Sequence, residues 1–297
     1  MKVSLWPNTS NPVADILSEA AWADEQGWHG IWIADHYMPN TGTTERLDGP
    51  MNEAWTVLPA VATRTQRAQI GVLVAPTTVH HPALLANRAA TLDQLSGGRF
   101  VLGLGAGWQI NEHTAYGIDL RSPKDRVDRF EEAIQIVTLL LTEKRTTFTG
   151  SHFQIDDAPC EPKPVQERLP ILVGTAGPRM LRITARYAAQ WNSWGTPEVA
   201  ATKLEALHAA CEKVGRDPQT LWKSTNIMLD LDGRHPAPAD RVLSGSAAEL
   251  TDRIGRYAEL GFDEFNLPSW NLGASVTERI DALAELQETV LAAVSGS

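Results

Sequence analysis

The sequence lacks the features that mark membrane, secreted and disulfide-stabilised proteins. No apolar run approaches the roughly 18 residues that a helix needs to span a bilayer, and residues 1–7 show no apolar segment or cleavage site of a signal peptide. Only two cysteines occur, Cys160 and Cys211, and they form neither a CxxC pair nor a disulfide framework. We therefore expect a reduced, cytoplasmic protein without a membrane segment.

Positive charge and metal-binding motifs are also scarce. Twenty-six Lys and Arg residues stand against 36 Asp and Glu residues, a net charge of −10, which argues against nucleic-acid or anionic-membrane partners because their phosphates would stay unneutralised. HExxH, HxH and GxSxG motifs are absent. His80 and His81 precede Pro82 and are predicted to be surface or helix-cap residues, so no metal site is expected.

Short apolar runs alternate with longer amphipathic runs along the whole chain. Apolar runs of this kind are typical of strands buried on both faces of a parallel sheet. Ser246 and Ser275 have capping-box spacing at the start of predicted helices. About eight strand–helix units predict one (β/α)8 TIM barrel, a single domain over residues 1–297. The predicted strands are 3–6, 31–34, 69–75, 100–104, 171–173, 189–192, 224–231 and 264–267.

Two segments are longer than a minimal barrel requires, and they predict insertions after strands two and four. Residues 37–52 are rich in Gly, Thr, Pro and Asn, and residues 144–170 contain a predicted hairpin at 148–153. Loops of this length in compact domains are usually functional or disordered. Because barrel active sites form at the carboxyl ends of strands, residues 37–52 are the better lid candidate.

Two glycine-rich turns allow more than one interpretation. Gly103-Leu-Gly-Ala-Gly107 follows a strand, but GxGxxG would need glycine at Trp108, and no helix start is expected before Ser122. We therefore reject a Rossmann motif and expect a strand end whose backbone approaches something large and flat. Gly174-Thr-Ala-Gly177 is either an anion site at a helix N-terminus or a tight turn.

Asp35 and His36 end the predicted second strand. At this end of a barrel strand an Asp/His pair indicates a catalytic or ligand-positioning role, and a buried structural pair is the alternative.

Eight segments, in order along nearly the whole chain, resemble one known family. They are 30–36 (GIWIADH), 71–77 (GVLVAPT), 81–85 (HPALL), 91–99 (TLDQLSGGR), 102–108 (LGLGAGW), 162–165 (PKPV), 170–174 (PILVG) and 181–192 (LRITARYAAQWN). Together they resemble the bacterial luciferase-like monooxygenase superfamily of flavin and deazaflavin oxidoreductases. The resemblance is closest to its actinobacterial branch, which uses the deazaflavin coenzyme F420.

The resemblance implies that the barrel mouth holds an isoalloxazine-type ring, with a bulge and a non-proline cis peptide bond near Val72–Leu73. It places Asn111 at the ring's polar edge and a phosphate at Gly174–Gly177. Thr77 is a substitute for the side-chain contact that Ala75 does not provide. The implied cofactor-binding residues are Val72, Leu73, Val74, Ala75, Thr77, Asn111, Gly174, Thr175, Ala176, Gly177 and Asn192.

The chemistry that the resemblance implies is hydride transfer between F420 and a small organic substrate. His36 is the predicted proton donor or acceptor, and Asp35 orients its imidazole or contacts the cofactor. Trp108 stands where sugar-phosphate dehydrogenases of the family carry a catalytic glutamate, which favours a flat or hydrophobic substrate. Two alternatives stay open: an FMN-dependent monooxygenase that uses oxygen, and a non-catalytic flavin-binding barrel. Relatives are often dimers, so a homodimer is expected.

Tryptophan is unusually frequent: the chain has 10 Trp against 4 Tyr and 6 Phe. Four of the ten fall at or just past the ends of predicted strands, where rigid rings can stack on a planar molecule. We therefore predict a substrate pocket formed by Trp6, Tyr37, Trp108, Trp194 and Trp270.

Overall fold

Eight strands close into a parallel barrel in the computed structural model, which describes residues 1–40 and 43–295. The predicted TIM-barrel architecture is confirmed. Around the barrel the order is β1, β12, β9, β8, β7, β4, β3, β2. The barrel strands are β1 (Lys2–Trp6), β2 (Gly30–Ile33), β3 (Gln69–Pro76), β4 (Phe100–Gly105), β7 (Ile171–Gly174), β8 (Gln190–Trp194), β9 (Trp222–Asn226) and β12 (Glu264–Pro268).

The chain divides into two compact units. The first unit comprises residues 1–8, 14–32 and 175–297, and the second comprises 9–13 and 33–174. Within the described ranges, no helix combines the length and the apolarity of a membrane span.

The first unit contains a strand pair that lies outside the barrel. Its β10 (Met228–Leu231) pairs in parallel with β11 (Val242–Gly245). The single strand predicted at 224–231 is therefore wrong, because the chain leaves the barrel between β9 and β10. Residues 223–231 are buried throughout, so burial continues from β9 into β10 and does not mark the break. The helices are α1 (Val13–Glu25), α6 (Pro178–Tyr187), α7 (Pro197–Glu212), α8 (Ala247–Glu259), α9 (Val276–Leu286) and α10 (Ala292–Ser295).

Both predicted capping boxes are present in this unit. Ser246 accepts from the Glu249 N–H at the start of α8, and Ser275 accepts from the Glu278 N–H at the start of α9. In each box the glutamate side chain bonds back to the cap backbone, so two otherwise unpaired N–H groups are satisfied.

The second unit contains both predicted insertions. The segment 37–52 follows β2, although positions 41 and 42 lie outside the described residues. After β4 come α4, α5 and an antiparallel hairpin of β5 and β6, which confirms the predicted hairpin. The bounds are α2 (Ala54–Arg64), α3 (Pro82–Ser96), α4 (Ile110–Tyr116), α5 (Pro123–Thr142), β5 (Thr146–Thr149) and β6 (Gln154–Ala158).

Helix α4 corrects the expectation that no helix begins before Ser122. It spans only seven residues, and its N-cap residue Gln109 makes no side-chain capping hydrogen bond. The sequence therefore shows no helix-capping residue here. Seven residues also make too few helical turns for a periodic pattern of apolar residues to be recognised. The rejection of a Rossmann motif rests on the missing third glycine alone.

Strand β3 is irregular where it faces β4. The peptide bond between Leu73 and Val74 is cis, one residue later than the predicted Val72–Leu73. The pairing register between the two strands shifts between Val72 and Ala75.

Glycines in β4 and β7 make room for this bulge. A Cβ at Gly103 would overlap the carbonyl oxygen of Val72, and one at Gly105 would lie 2.6 Å from Val74 Cγ2. A Cβ at Gly174 would lie 3.1 Å from Val74 Cγ1. From the sequence, the backbone of β4 is expected to approach something large and flat. In the structure, β4 approaches the bulge of β3.

Adding a methyl group at Gly103 should separate β4 from β3. We expect Gly103→Ala to lower the free energy of unfolding by about 3 kcal/mol, because a backbone oxygen cannot rotate away from the new atom. The matched control is Gly255→Ala in α8, where a Cβ meets nothing within 4 Å; that change should stabilise by about 0.5–1 kcal/mol. Urea denaturation measures both. Equal effects of the two substitutions would contradict the packing argument.

Candidate functional site

His36, directly after β2 in the second unit, is held by a buried carboxylate of α4. Its Nδ1 atom lies 3.1 Å from Glu112 Oε1, and Glu112 Oε2 accepts the Tyr37 N–H at 2.8 Å. The His36 side chain is 15% exposed and that of Glu112 is 2% exposed. A carboxylate on Nδ1 selects the tautomer that carries its proton there, which leaves the Nε2 lone pair available for proton transfer.

Glu112 was missed by the sequence reasoning. It lies in a short helix without a capping signal, and its partner is 76 positions away. The available signal was the mainly polar segment Gln109–His113, which begins four residues after β4 ends, in a region where barrel active sites form.

Two other side chains at the start of α4 hydrogen-bond to the loop that follows β2. Gln109 Nε2 donates to the Met38 carbonyl, and Asn111 Nδ2 donates to the Pro39 carbonyl, each at 3.0 Å. Asn111 is buried, and its Oδ1 accepts from the Glu112 N–H. The structure thus shows Asn111 positioning the loop; its contact with a cofactor ring stays a prediction.

Asp35 has partners other than its neighbour His36. Its buried Oδ2 accepts from His80 Nε2 at 2.7 Å and from Trp55 Nε1 at 3.0 Å. Arg88 donates to the other ring nitrogen of His80 at 3.3 Å. The carboxylate that contacts the His36 imidazole is Glu112, so the expectation that Asp35 orients this ring is wrong. The alternative, that Asp35 contacts the cofactor, stays a prediction.

The prediction that His80 and His81 are surface or helix-cap residues is only partly right. His80 is buried against Asp35, so its assignment as a surface or cap residue is wrong. His81 does cap α3, with Nδ1 accepting from the Ala83 N–H. The local sequence around His80 gives no sign of a buried partner 45 positions away.

One aromatic ring contacts His36 within the second unit, and a tyrosine pair begins at the next residue. Trp108 is 49% exposed and meets the His36 ring edge to face, with ring centroids 5.6 Å apart. Tyr37 lies 6.1 Å from Tyr116 by ring centroids. Burial, together with the carboxylates of Asp35, Glu53 and Glu112, raises the pKa of Tyr37, so its phenol stays neutral at physiological pH.

The end of β3 contains a buried polar atom without a partner. Among the described residues, nothing hydrogen-bonds to the Thr77 hydroxyl, although its backbone N–H donates to the Gly105 carbonyl. Leu73 and Ala75 are buried and Val74 is partly exposed. An unsatisfied buried hydroxyl beside the bulge is the kind of group that a bound polar ligand satisfies.

Of the predicted phosphate turn, Gly174 closes β7 in the second unit, and Thr175, Ala176 and Gly177 belong to the first. Gly177 is the N-cap of α6, and its N–H lies 3.3 Å from Thr175 Oγ1. Within the described residues, the N-cap of α6 makes no side-chain capping hydrogen bond. Phosphate binding here stays a prediction.

Asn192 lies in a buried amide network of the first unit. Its Nδ2 donates to Ser224 Oγ at 2.8 Å and to Asn226 Oδ1 at 2.9 Å, and its Oδ1 accepts from Asn226 at 2.8 Å. Asn266 also donates to Asn226. The amide of Asn192 thus bonds to protein groups, and its assignment to cofactor binding stays a prediction.

Three of the predicted pocket tryptophans touch one another in the first unit. Ring centroids are 5.4 Å apart for Trp6 and Trp194, 5.0 Å for Trp6 and Trp270, and 5.7 Å for Trp194 and Trp270. Trp108 belongs to the second unit, where it contacts His36. A common pocket for all four stays a prediction.

The fold and the His–Glu pair at a strand's carboxyl end define a TIM barrel with groups suited to acid–base chemistry. Residues 1–231 match the family model described as luciferase-like monooxygenase. The chain belongs to this family.

Two curated relatives carry names that include a coenzyme. An F420-dependent glucose-6-phosphate dehydrogenase of Kineococcus radiotolerans is 34% identical over 74% of this chain and 64% of that protein. An F420-dependent hydroxymycolic acid dehydrogenase of Mycobacterium tuberculosis is 28% identical over 90% of this chain and 74% of that protein. The chain thus spans less than two thirds of the length of the first relative.

A solved structure shares the whole fold at low sequence identity. An F420-dependent secondary alcohol dehydrogenase, solved in complex with an F420–acetone adduct, superposes with a TM-score of 0.84. The match covers 98% of each chain at 20% identity. This likeness shows the fold.

Removing the Glu112 carboxylate should loosen the segment after β2. We expect Glu112→Ala to raise the hydrogen-exchange rate of the Tyr37 amide at least about tenfold, since a buried charged hydrogen bond is lost. Glu112→Gln should have a smaller effect, because its amide oxygen still accepts one bond. Glu143→Ala, at an exposed residue after α5, is the control. An unchanged Tyr37 amide in Glu112→Ala would show that the carboxylate does not hold this segment.

Proposed function

We propose that the protein is an oxidoreductase that transfers a hydride between coenzyme F420 and a small, flat or hydrophobic organic substrate. Family membership and the F420-dependent relatives support the reaction class. The observation that carries the proposal is the partly exposed His36 imidazole, bonded at Nδ1 to the buried Glu112 carboxylate.

This pair suits the proton half of a hydride transfer. When an alcohol is oxidised, its carbon loses a hydride and its hydroxyl loses a proton; His36 Nε2 accepts that proton, and Glu112 stabilises the resulting imidazolium. In the reverse direction the imidazolium donates the proton to the new alkoxide. The deazaflavin ring, when bound, supplies the hydride chemistry.

The residues at the carboxyl end of β3 fit a cofactor ring. In the bulge from Val72 to Ala75 the partly exposed Val74 provides apolar surface, and the unsatisfied Thr77 hydroxyl offers one polar contact. For the first unit we propose that the turn Thr175–Gly177 binds a phosphate beside the N-terminus of α6, which begins there without a side-chain cap.

The substrate proposal rests on Trp108. Its indole is half exposed beside His36, so the accessible surface next to the proton-transfer group is aromatic, whereas the acidic neighbour Glu112 is buried. An aromatic wall favours planar or apolar molecules over sugar phosphates.

We also propose a single domain over residues 1–297 that acts in the cytoplasm as a homodimer. Cys160 and Cys211 are free and buried, which fits a reducing compartment. Size-exclusion chromatography with light scattering tests the dimer.

Cofactor binding decides between the proposal and its alternatives. We expect the protein to quench the fluorescence of F420 with micromolar affinity and to bind FMN at least about tenfold more weakly. Reduced F420 should then turn over with members of a panel of ketones, enones and imines. Preferential FMN binding with oxygen consumption would indicate a monooxygenase instead. F420 binding without turnover on the panel would indicate a non-catalytic barrel.

Removing the His36 imidazole should slow catalysis without loss of the cofactor. We expect His36→Ala to lower kcat by about 10²–10⁴-fold, the usual contribution of a general acid or base. The F420 Kd should change less than twofold. His81→Ala, which removes an exposed histidine of the same unit, is the control and should leave kcat within twofold. Full activity of His36→Ala would remove His36 from the mechanism.

A further inference from the structure

A small cavity opens at the amino ends of β1 and β2, within the first unit. Its volume is about 260 Å³, somewhat less than that of cavities that hold drug-sized ligands. Active sites of TIM barrels form at the carboxyl ends of the strands, so this cavity is not part of the site expected at the barrel mouth. The lining residues that bear on binding are Lys2, Val3, Trp28, His29, Gln287 and Leu291.

Hydrogen bonds join the three walls of the cavity. Trp28 Nε1 donates to Gln287 Oε1 at 2.8 Å, which connects the turn before β2 to the helical segment after α9. The His29 N–H donates to the Val3 carbonyl at 2.7 Å, which connects the same turn to β1. The shape of the cavity is therefore set by protein contacts, and a ligand would not have to order its walls.

The wall that follows α9 has an unusual backbone. Gln287–Leu291 forms a π-helix, a conformation that is rare in proteins and that occurs frequently at functional sites. It begins at the residue that accepts from Trp28 and ends at Leu291, a buried apolar residue of the cavity. The π-helix is thus a second feature, independent of the volume, that points to a ligand.

The cavity lacks acidic side chains although the chain is acidic. The sequence has 36 Asp and Glu residues and a net charge of −10, yet none of the described residues that line the cavity is acidic. Lys2 is exposed, and its ammonium group is close enough to His29 to lower the pKa of the imidazole. The polar side of the cavity therefore suits a negatively charged group.

His29 is a neutral donor on this polar side. Its ring stacks on Trp222 with centroids 5.5 Å apart, and Trp222 Nε1 donates to the buried Glu264 carboxylate. Burial lowers the pKa of His29 more than Glu264 raises it, and Lys2 lowers it further, so the ring is neutral at physiological pH. A neutral imidazole still carries one N–H that can donate to an anion.

We propose that this cavity binds a small monocarboxylate whose body is an apolar ring or branched chain. The carboxylate accepts from the Lys2 ammonium and the His29 imidazole. The apolar body packs against Val3, Leu291 and the Trp28 indole. Charged donors and apolar walls together favour such a ligand over a neutral molecule or a simple inorganic anion.

Four probes separate the contribution of the charge from that of the ring. Benzoate has both, benzamide has nearly the same shape without the charge, benzylamine carries the opposite charge, and acetate has the charge without the ring. We expect benzoate to bind saturably with a Kd of about 1 mM or below, and the other three to bind at least about tenfold more weakly. Equal affinity for benzamide and benzoate, or tighter binding of benzylamine, would overturn the proposal.

Nuclear magnetic resonance of the labelled protein locates the bound probe. We expect benzoate to shift the Nε1–H signal of Trp28 and to raise the pKa of His29, because a nearby carboxylate favours the imidazolium. The Nε1–H signal of Trp108, which contacts His36, should stay unchanged. If saturating benzoate leaves Trp28 and His29 unaffected, it binds elsewhere and the assignment is wrong.

Two substitutions in the lining test the charge argument. Gln287→Glu adds a negative charge and keeps the oxygen that accepts from Trp28. We expect it to weaken benzoate binding at least about tenfold and to strengthen benzylamine binding. Lys2→Gln should weaken benzoate binding about two- to fivefold, the usual value of an exposed ion pair. Lys213→Gln, at an exposed lysine of the same unit outside the lining, is the control and should have no effect.

Unchanged benzoate affinity in either lining variant would refute the site. Because Lys2 is exposed, its variant decides the question if Gln287→Glu does not fold. The site does not depend on the proposed function. Turnover with F420 but no response of Trp28 to benzoate would refute only the carboxylate site, and benzoate binding without F420 binding would refute only the proposed function.

Discussion

The close approach of β3 to β4 and β7 is the constraint on which the second unit depends. The bulge of β3 directs the Val72 carbonyl and the Val74 side chain into space that Gly103, Gly105 and Gly174 leave open. Any side chain at Gly103 would fill that space. The glycine pattern, which in isolation resembles a nucleotide loop, is thus explained by packing between strands. This packing fixes where β3 ends, and it therefore also fixes where the unsatisfied Thr77 hydroxyl lies.

The same strand β4 leads directly into the acid–base pair. Because α4 starts at Ile110, five residues after β4 ends, Glu112 is fixed relative to the barrel by a short connection. From there its two carboxylate oxygens contact His36 Nδ1 and the Tyr37 N–H, so one buried side chain sets both a ring and the backbone beside it. Gln109 and Asn111 add bonds to the next two carbonyls. The loop after β2 thus depends on α4 along residues 36–39, which suits a proton-transfer group that must keep its orientation.

The fold could be predicted from sequence because barrel strands such as β2 (GIWI) and β4 (FVLGLG) are buried on both faces and read as apolar runs. Prediction from apolar patterns fails where the chain leaves one sheet for another while staying buried. This happens between β9 and β10, where Ile227 is as buried as its neighbours. It also fails for a helix as short as α4. Asp35 and His36 could be found from their place after β2, but their partners could not. The Glu112 and His80 contacts join positions 76 and 45 residues apart, and local sequence patterns carry no information on such pairs.

The buried tryptophans differ in whether the indole N–H finds an acceptor in the protein. Trp28, Trp32 and Trp222 satisfy their N–H groups on protein oxygens, and the last two do so on the buried Glu264 carboxylate, so these indoles are explained by folding. Trp6 and Trp270 are equally enclosed at Nε1 yet have no acceptor within the described chain. Folding alone would favour phenylalanine at those two positions, because it packs a ring without an unsatisfied donor. These two indoles are therefore the part of the tryptophan content that the described hydrogen bonds do not explain.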